Sequence, residues 1–460
     1  FGSIPGVRWL VSAFVALPRE WRPSLMPSRC IVLLLDGLGD RFYTEMDGTP
    51  LQAAHTPNLD ALAQRGANGL FHADRLGMAL TSQDAHFLMF GYEWDEIPRR
   101  GVLEALGSGL PLSEKDVAVL ARLVSATVED RKLIVADRLS KADDEELSEL
   151  IRDVAAFEWS GIRFEFVRTS GAMGILKLTG NVSPLITDVD KVTDNVTVPA
   201  LRPWRSAETD TAAQNTARAG TEYLRWAHKR LRDHPVNQAR SARGEPRINA
   251  ILTHLAGSLK PSRSFSERWG MKALFISSKR VGWGMAAAMG VDTLKVKDSG
   301  DPAADIARRL EIAREKLAAY DFLYVNTMAP DIAAHTKVPA AKKQAIESLD
   351  RGIGSSVGPL VNDPDVLLAV TSDHSTPSSG PLIHSGEPVP LLFVGEGVRR
   401  DSVKHFDEVA CSQGSLGTLR GKEFMYMVLN YLNRSRLHGQ MYTTEYRAYR
   451  EDEYEPFLID

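Results

Sequence analysis

The sequence predicts an α/β protein built on a mainly parallel sheet, with a small α+β module inserted into it. Three features carry that prediction. Apolar runs of strand length alternate with amphipathic helical stretches toward both ends of the chain, the rhythm of strands joined by helical crossovers. The rhythm breaks between about Pro111 and Asp190, where strands follow one another, and then returns. Several strands end on Asp or His, and in open α/β sheets ligands gather at the carboxyl ends of strands.

The first strand, "IVLLL", runs straight into Asp36-Gly37-Leu38-Gly39-Asp40. A carboxylate at the end of a buried strand is costly unless a cation meets it. In "TPNLDALAQRGANG" a helix is expected, with Thr56 as its cap and Pro57 in the first turn. Leu59, Leu62 and Ala63 would lie on one face, and Gly66 would end it. "VAVLARLVSATV", the acidic "KADDEELSELIRDVAAF", "IRFEFVRT" and "MGILKLTG" read as strand, helix, strand, strand. Beyond them "MKALFIS", "DFLYVNT", "DVLLAVTSDH" and "EPVPLLFVG" read as strands. "PAADIARRLEIAREKLAAY" and "GKEFMYMVLNYLN" read as helices. The expected organisation is an N-terminal extension over 1–30, a metal-binding catalytic domain over 31–110 and 191–460, and an inserted cap over 111–190.

Bulk properties narrow the function. The 460 residues are 43% apolar and 25% charged, too apolar for a disordered chain. A net charge of -4, with no basic excess, argues against a nucleic-acid partner. Cys30 and Cys411 are too few for a disulfide scaffold or a zinc finger and fit a reducing cytoplasm. No apolar run reaches membrane-spanning length, so no membrane partner is expected. "VRWLVSAFVAL" near the start is followed by "PREWRPSL" rather than by a small-residue cleavage site, and Met26 is a candidate natural start.

The strand ends carry the chemistry. "DVLLAV" leads into Asp373 and His374, "DFLYVNT" into Asp331 with His335 four residues on, and "LIHSGEPVP" adds His384. Asp331 and His335 would share a face if a helical turn begins there. Any one of these residues is most simply a cap, a turn or a satisfied histidine. Together with Asp36 they make three carboxylates and three imidazoles, a donor set suited to zinc, manganese or iron rather than calcium. That is enough for two ions, which at roughly 3.5–4 Å apart can clamp the attacking and leaving oxygens of an in-line displacement. Ser82, just before the apolar stretch of "LTSQDAHFLMFGY", supplies a hydroxyl at a helix N-terminus. The plain alternative is that Ser82 is only the helix cap.

"LLLDGLGDR", "GTPLQAAHTPNLDALAQRGANGL", "SQDAHFLMFGY", "GVLEALGSGLPL", "APDIAAHTK" and "TSDHSTPSSGPLIHSGEPVP" resemble the cofactor-independent phosphoglycerate mutases of the archaeal type, members of the alkaline phosphatase superfamily. The likeness runs from about Ile31 to Leu432. It implies an alkaline-phosphatase-like three-layer core, two divalent metals (manganese or zinc) and a phosphoserine intermediate. The implied activity is the glycolytic interconversion of 3- and 2-phosphoglycerate, an isomerase reaction on a small phosphorylated substrate. By motif, Asp36, Ser82, Asp373 and His374 would hold one metal, and Asp331, His335 and His384 the other. His86, in the same motif as Ser82, receives no role.

The departures from the family pattern concentrate where the substrate would bind. Where the family carries Arg-Cys-Asn-Phe, this chain has Arg122-Leu123-Val124-Ser125. Where it carries Asp-Arg-Arg-Ala-Gly-Arg, this chain has Asp137-Arg138-Leu139-Ser140-Lys141-Ala142. Gly171 and Ala172 lie where Glu-His-Arg is usual, and Val281 precedes Gly282 where a lysine is expected, with Lys279 and Arg280 close by. Arginine forks grip carboxylate and phosphate bidentately, and apolar replacements cannot. Arg122, Asp137, Arg138 and Arg268 remain as substrate-binding candidates. The alternative reading is a phosphomonoester or phosphonate hydrolase, in which water takes the phosphoryl group. "VGWGMAAAMG" also matches a dinucleotide-binding glycine pattern, without an acid at the end of a following strand.

Overall fold

A computed structural model of the chain describes residues 27–138, 141–191, 193–435 and 458–459. Most of the expected N-terminal extension, and Leu139 and Ser140 of the cap motif, lie outside the described residues. Arg29 and Cys30 already belong to the first strand.

Fourteen strands are described. In chain order they are β1 Arg29–Leu35, β2 Ala67–His72, β3 Val117–Glu129, β4 Lys132–Asp137, β5 Ala156–Trp159, β6 Ile162–Ser170 and β7 Met173–Thr179. Then follow β8 Ala250–Gly257, β9 Ala273–Ser277, β10 Asp292–Lys295, β11 Phe322–Thr327, β12 Val366–Thr371, β13 Val389–Val394 and β14 Gly417–Arg420. The larger sheet has the order β10-β9-β11-β1-β12-β13-β2-β14. Its first five strands are parallel, and β13 runs antiparallel to both of its neighbours.

β1 lies between β11 and β12, and Cys30 to Leu35 are all fully buried. Such a strand reads as a continuous apolar run because helices cover both faces of the sheet. Its side chains alternate between two cores. Ile31, Leu33 and Leu35 meet Leu59, Leu310 and Leu349 on one side. Val32 and Leu34 meet Phe87, Met285 and Phe424 on the other. The α/β class and the mainly parallel sheet are therefore as expected from sequence.

Two local expectations change. Thr56 makes no side-chain cap for the helix Pro57–Ala63. The orphan N–H groups of Asn58 and Leu59 donate instead to the carboxylate of Asp350, from the helix Pro339–Ser356, at 3.1 and 2.8 Å. Gly282 and Gly284 form no phosphate-cradling turn. They sit inside the helix Arg280–Ala288, where a Cβ on Gly284 would come within 1.8 Å of the Leu103 carbonyl. Gly284 serves the close approach of that helix to the helix Arg100–Gly107, and a Cβ on Gly282 would come within 2.5 Å of the Ser277 hydroxyl.

The second sheet has the order β4-β3-β7-β6-β5, with β8 also paired to β3. The helices Asp144–Val154 and Thr211–Arg232 share its core, through Leu147, Leu150 and Val154 on one and Tyr223, Ala227 and Leu231 on the other. The module therefore draws on residues 117–257 and not only on 111–190. "AILTHLAG" has the apolar pattern of a strand, but that pattern does not reveal which sheet the strand joins, and its partner lies far away in sequence. The two lobes touch where the Arg280 guanidinium donates to the Thr169 carbonyl of β6 at 2.7 Å.

Candidate metal and nucleophile site

β1, β11 and β12 are neighbours, so their carboxyl ends bring Asp36, Asp331 and Asp373 together. Gly37, at φ +66°, makes the turn after Asp36 and lets the chain press against Asp331; a Cβ there would lie 2.7 Å from the Asp331 Cβ. The Gly37 N–H donates to Asp373 Oδ1 at 3.2 Å. That bond leaves Oδ2 of Asp373 turned inward.

Two groups form. Asp36, Asp373 and His374 are all buried, with ligand-type atoms within 4.8 Å of one another. Asp331, His335 and His384 form the second group within the same limit. The helix Ala329–His335 puts His335 Nε2 3.3 Å from Asp331 Oδ2, the shared face expected from the spacing. Thr376 joins the groups, donating to Asp331 Oδ1 at 2.8 Å and facing His374 Nδ1 at 3.1 Å.

Ser82 is not the cap of its helix. Thr81 is: its hydroxyl accepts from the Asp84 N–H, and Ser82 is the first helical residue. The hydroxyl of Ser82 is thus available, and it lies 3.0 Å from His374 Nε2.

The donor set fits a cation. Thr376 has one hydroxyl proton, spent on Asp331, so His374 Nδ1 must donate to it and Nε2 bears the lone pair. That lone pair faces Asp373 Oδ2 at 3.1 Å and Asp36 Oδ1 at 3.8 Å, an assembly of acceptors. His384 repeats the pattern: Nδ1 donates to the Leu80 carbonyl at 2.7 Å and leaves Nε2 facing Asp331 Oδ1 at 3.7 Å. Asp36 Oδ1 and Asp373 Oδ2 are buried with no hydrogen-bond donor. Burial, then the charges of Asp373 and Asp331, pushes the Asp36 carboxyl well above its usual range. Convergent lone pairs and orphaned carboxylate oxygens are what a divalent ion relieves.

The second acid of the opening stretch has a different partner. Asp40 Oδ2 meets Lys342 Nζ at 3.1 Å, with both side chains fully buried. Lys342 also donates to the carbonyls of Gly39 and Thr376, at 2.8 and 2.9 Å. Its three N–H groups therefore tie the loop after β1 to the loop after β12. Ser378 and Tyr43 add further donors to Asp40.

The cap candidates divide. Arg122 lies on β3 and donates to the Arg138 carbonyl at 3.4 Å, and Arg138 pairs with the buried Asp190 at 2.5 Å. The Nε of both arginines is buried without a partner. Asp137 ends β4 opposite Ser125. Arg268 stands apart from these three. It donates to the Gly91 carbonyl at 2.9 Å and to Glu96 at 2.5 Å, and lies over the Tyr92 ring, bracing the turn that follows the Ser82 helix.

Sequence reasoning passed over Thr376, Lys342, Tyr324 and Asn326. A signal existed for the last two: polar side chains two residues apart in the otherwise apolar "DFLYVNT" point to one face of a buried strand. Arg100 was missed as well. It pairs with Glu104 at 2.9 Å and lies near enough to Asp36 to favour its charged form.

Such a site, on such a sheet, belongs to a metalloenzyme, and comparison with known proteins agrees: the sequence model described as the Metalloenzyme superfamily matches residues 28–431. The 2,3-bisphosphoglycerate-independent phosphoglycerate mutase 2 of Methanocaldococcus jannaschii is 38% identical over 419 residues, spanning 89% of this chain and 95% of that one. The corresponding mutase of Thermococcus gammatolerans is 35% identical, over 89% of this chain and 98% of its own. Among solved structures, a cofactor-independent phosphoglycerate mutase from Thermoplasma acidophilum superposes with a TM-score of 0.63 at 27% identity, covering 88% of this chain and all of that one. A Pyrococcus horikoshii protein superposes at 0.73 with 29% identity, covering 90% of this chain and 100% of its own. The chain belongs to the 2,3-bisphosphoglycerate-independent phosphoglycerate mutase family, metal-dependent enzymes of the Metalloenzyme superfamily, here on a mainly parallel α/β core.

Proposed function

We propose that this protein interconverts 3-phosphoglycerate and 2-phosphoglycerate through a phosphorylated Ser82, with two divalent ions, manganese or zinc, held by the two clusters. The observation that carries the reading is the placement of the Ser82 hydroxyl, free of capping duty and 3.0 Å from His374, beside carboxylates that lack donors. Asp36, Asp373, His374 and Ser82 would hold one ion, and Asp331, His335 and His384 the other. Such ions neutralise the carboxylates, ease ionisation of the hydroxyl and stabilise charge on the transferring group.

Ser82 Oγ attacks phosphorus in line, and the bond to the substrate's ester oxygen breaks. The neighbouring hydroxyl of the same molecule then attacks, and Ser82 Oγ leaves. Between the two steps the glycerate must stay bound and turn over. Arg122 and Arg138 are proposed to hold its carboxylate, with Asp137 beside them. A reducing, cytoplasmic setting suits the buried, unbridged Cys30 and Cys411. Among the described residues no helix is long and apolar enough to cross a membrane.

One observation favours hydrolysis instead: the fork of Arg138 is already engaged by Asp190, which weakens the hold on a reorienting intermediate. Incubation of the metal-loaded protein with 3-phosphoglycerate separates the readings. We expect the 2-isomer, loss of its formation on chelation, and recovery on adding manganese or zinc. Free phosphate as the sole product would establish the hydrolase, and neither product would overturn both.

A further inference from the structure

His86 lies one turn after Ser82 in the same helix and is 1% exposed. Its Nδ1 is 2.6 Å from the Ser82 carbonyl oxygen and 3.6 Å from Asp373 Oδ2. A carbonyl and a carboxylate can only accept, so Nδ1 carries the proton and Nε2 the lone pair. The Tyr324 hydroxyl, in contact with Nε2, must then be the donor. Tyr324 faces Asn326 Nδ2 at 3.4 Å, and the Asn326 side chain reaches Asp36. The linked groups thus begin at the nucleophile's own carbonyl and at Asp373, and end at Asp36. They run along the face of β11 that carries Tyr324 and Asn326.

We propose that His86 is a positioning residue: its Nδ1–H, with the tautomer fixed by Tyr324, holds the Ser82 main chain and the Asp373 carboxylate in mutual register. The assignment rests on the phosphoryl-transfer reading of Ser82, but the tautomer and the register do not depend on which substrate is turned over. Asp373 Oδ2 accepts no hydrogen bond, and the His86 Nδ1–H faces it only electrostatically from 3.6 Å; without His86 the carboxylate is oriented only through the bonds to Oδ1. Groups that orient a ligand from behind in this way are worth about 10–100-fold in metal affinity or activity.

Two substitutions separate positioning from bulk. His86→Phe fills the space and lacks the N–H. His86→Asn leaves a gap but keeps an amide donor near the Nδ1 position. We expect His86→Phe to lower kcat about 10–100-fold with KM changed by less than about threefold, and to weaken calorimetrically titrated manganese tenfold or more. His86→Asn should recover most of both losses while melting no higher than His86→Phe. A residue kept only for packing predicts the reverse order, and that order would overturn the proposal. Nitrogen-15 spectra of the histidine-labelled, zinc-loaded wild-type protein supply a check that needs no variant: an Nδ1–H tautomer is expected, and an Nε2–H tautomer would also overturn it. If the wild type isomerises nothing, yet manganese affinity still ranks wild type and His86→Asn above His86→Phe, the functional reading falls and the role of His86 stands. If the wild type isomerises and the two variants rank together, the role of His86 alone falls.

Discussion

Replacing Ser82 with alanine should cut turnover at least about 10⁴-fold, the scale on which covalent nucleophiles are missed when removed. The fold should hardly notice. Thr81, not Ser82, caps the helix, and alanine is a good residue at a first helical position. Thermal melting should therefore stay near wild type while product formation disappears, and manganese should still bind, more weakly, through Asp36, Asp373 and His374. Incubation of the wild type with substrate labelled with ³²P on its phosphoryl group, followed by acid quench, should trap label on the protein, and the variant should trap none. Wild-type rates in Ser82→Ala would remove this residue from the mechanism.

Replacing Lys342 with methionine is expected to have the largest effect on stability. The ammonium is fully buried, and its loss leaves the Asp40 carboxylate without a cation and the Thr376 carbonyl without its donor, while the Gly39 carbonyl keeps only the Thr376 N–H. Breaking a buried ion pair from one side costs about 3–5 kcal/mol. Thermal melting should show a clear drop. Adding Asp40→Asn should recover part of it, because the stranded charge is then removed. An unchanged midpoint in the single variant would mean that Ser378 and Tyr43 suffice to hold Asp40.

Much of this site was legible because its residues follow strands. An apolar run that stops on Asp or His marks both the strand and the end where ligands collect, and the spacing of Asp331 and His335 needs only a helical turn. The partners that act from behind were harder to see. Lys342 reads as a surface lysine of an amphipathic helix until the three-dimensional structure shows it under two loops. Thr56 has the sequence of a cap, yet a carboxylate from elsewhere in the chain does that work. The pairing of β8 was hidden for the same reason: strand character is local, whereas pairing with β3 depends on residues more than a hundred positions away.

The central place of β1 has a consequence for biogenesis. This strand leaves the ribosome before both of its hydrogen-bonding neighbours, β11 and β12, which are nearly 300 or more residues downstream. At about 5–20 residues per second of synthesis, its six fully buried apolar side chains wait tens of seconds for either neighbour. The smaller sheet, whose strands are all made before residue 260, can condense during that interval. The nascent polypeptide thus carries a sticky, unpaired segment through that interval, and its demand on chaperones is set by topology rather than by length.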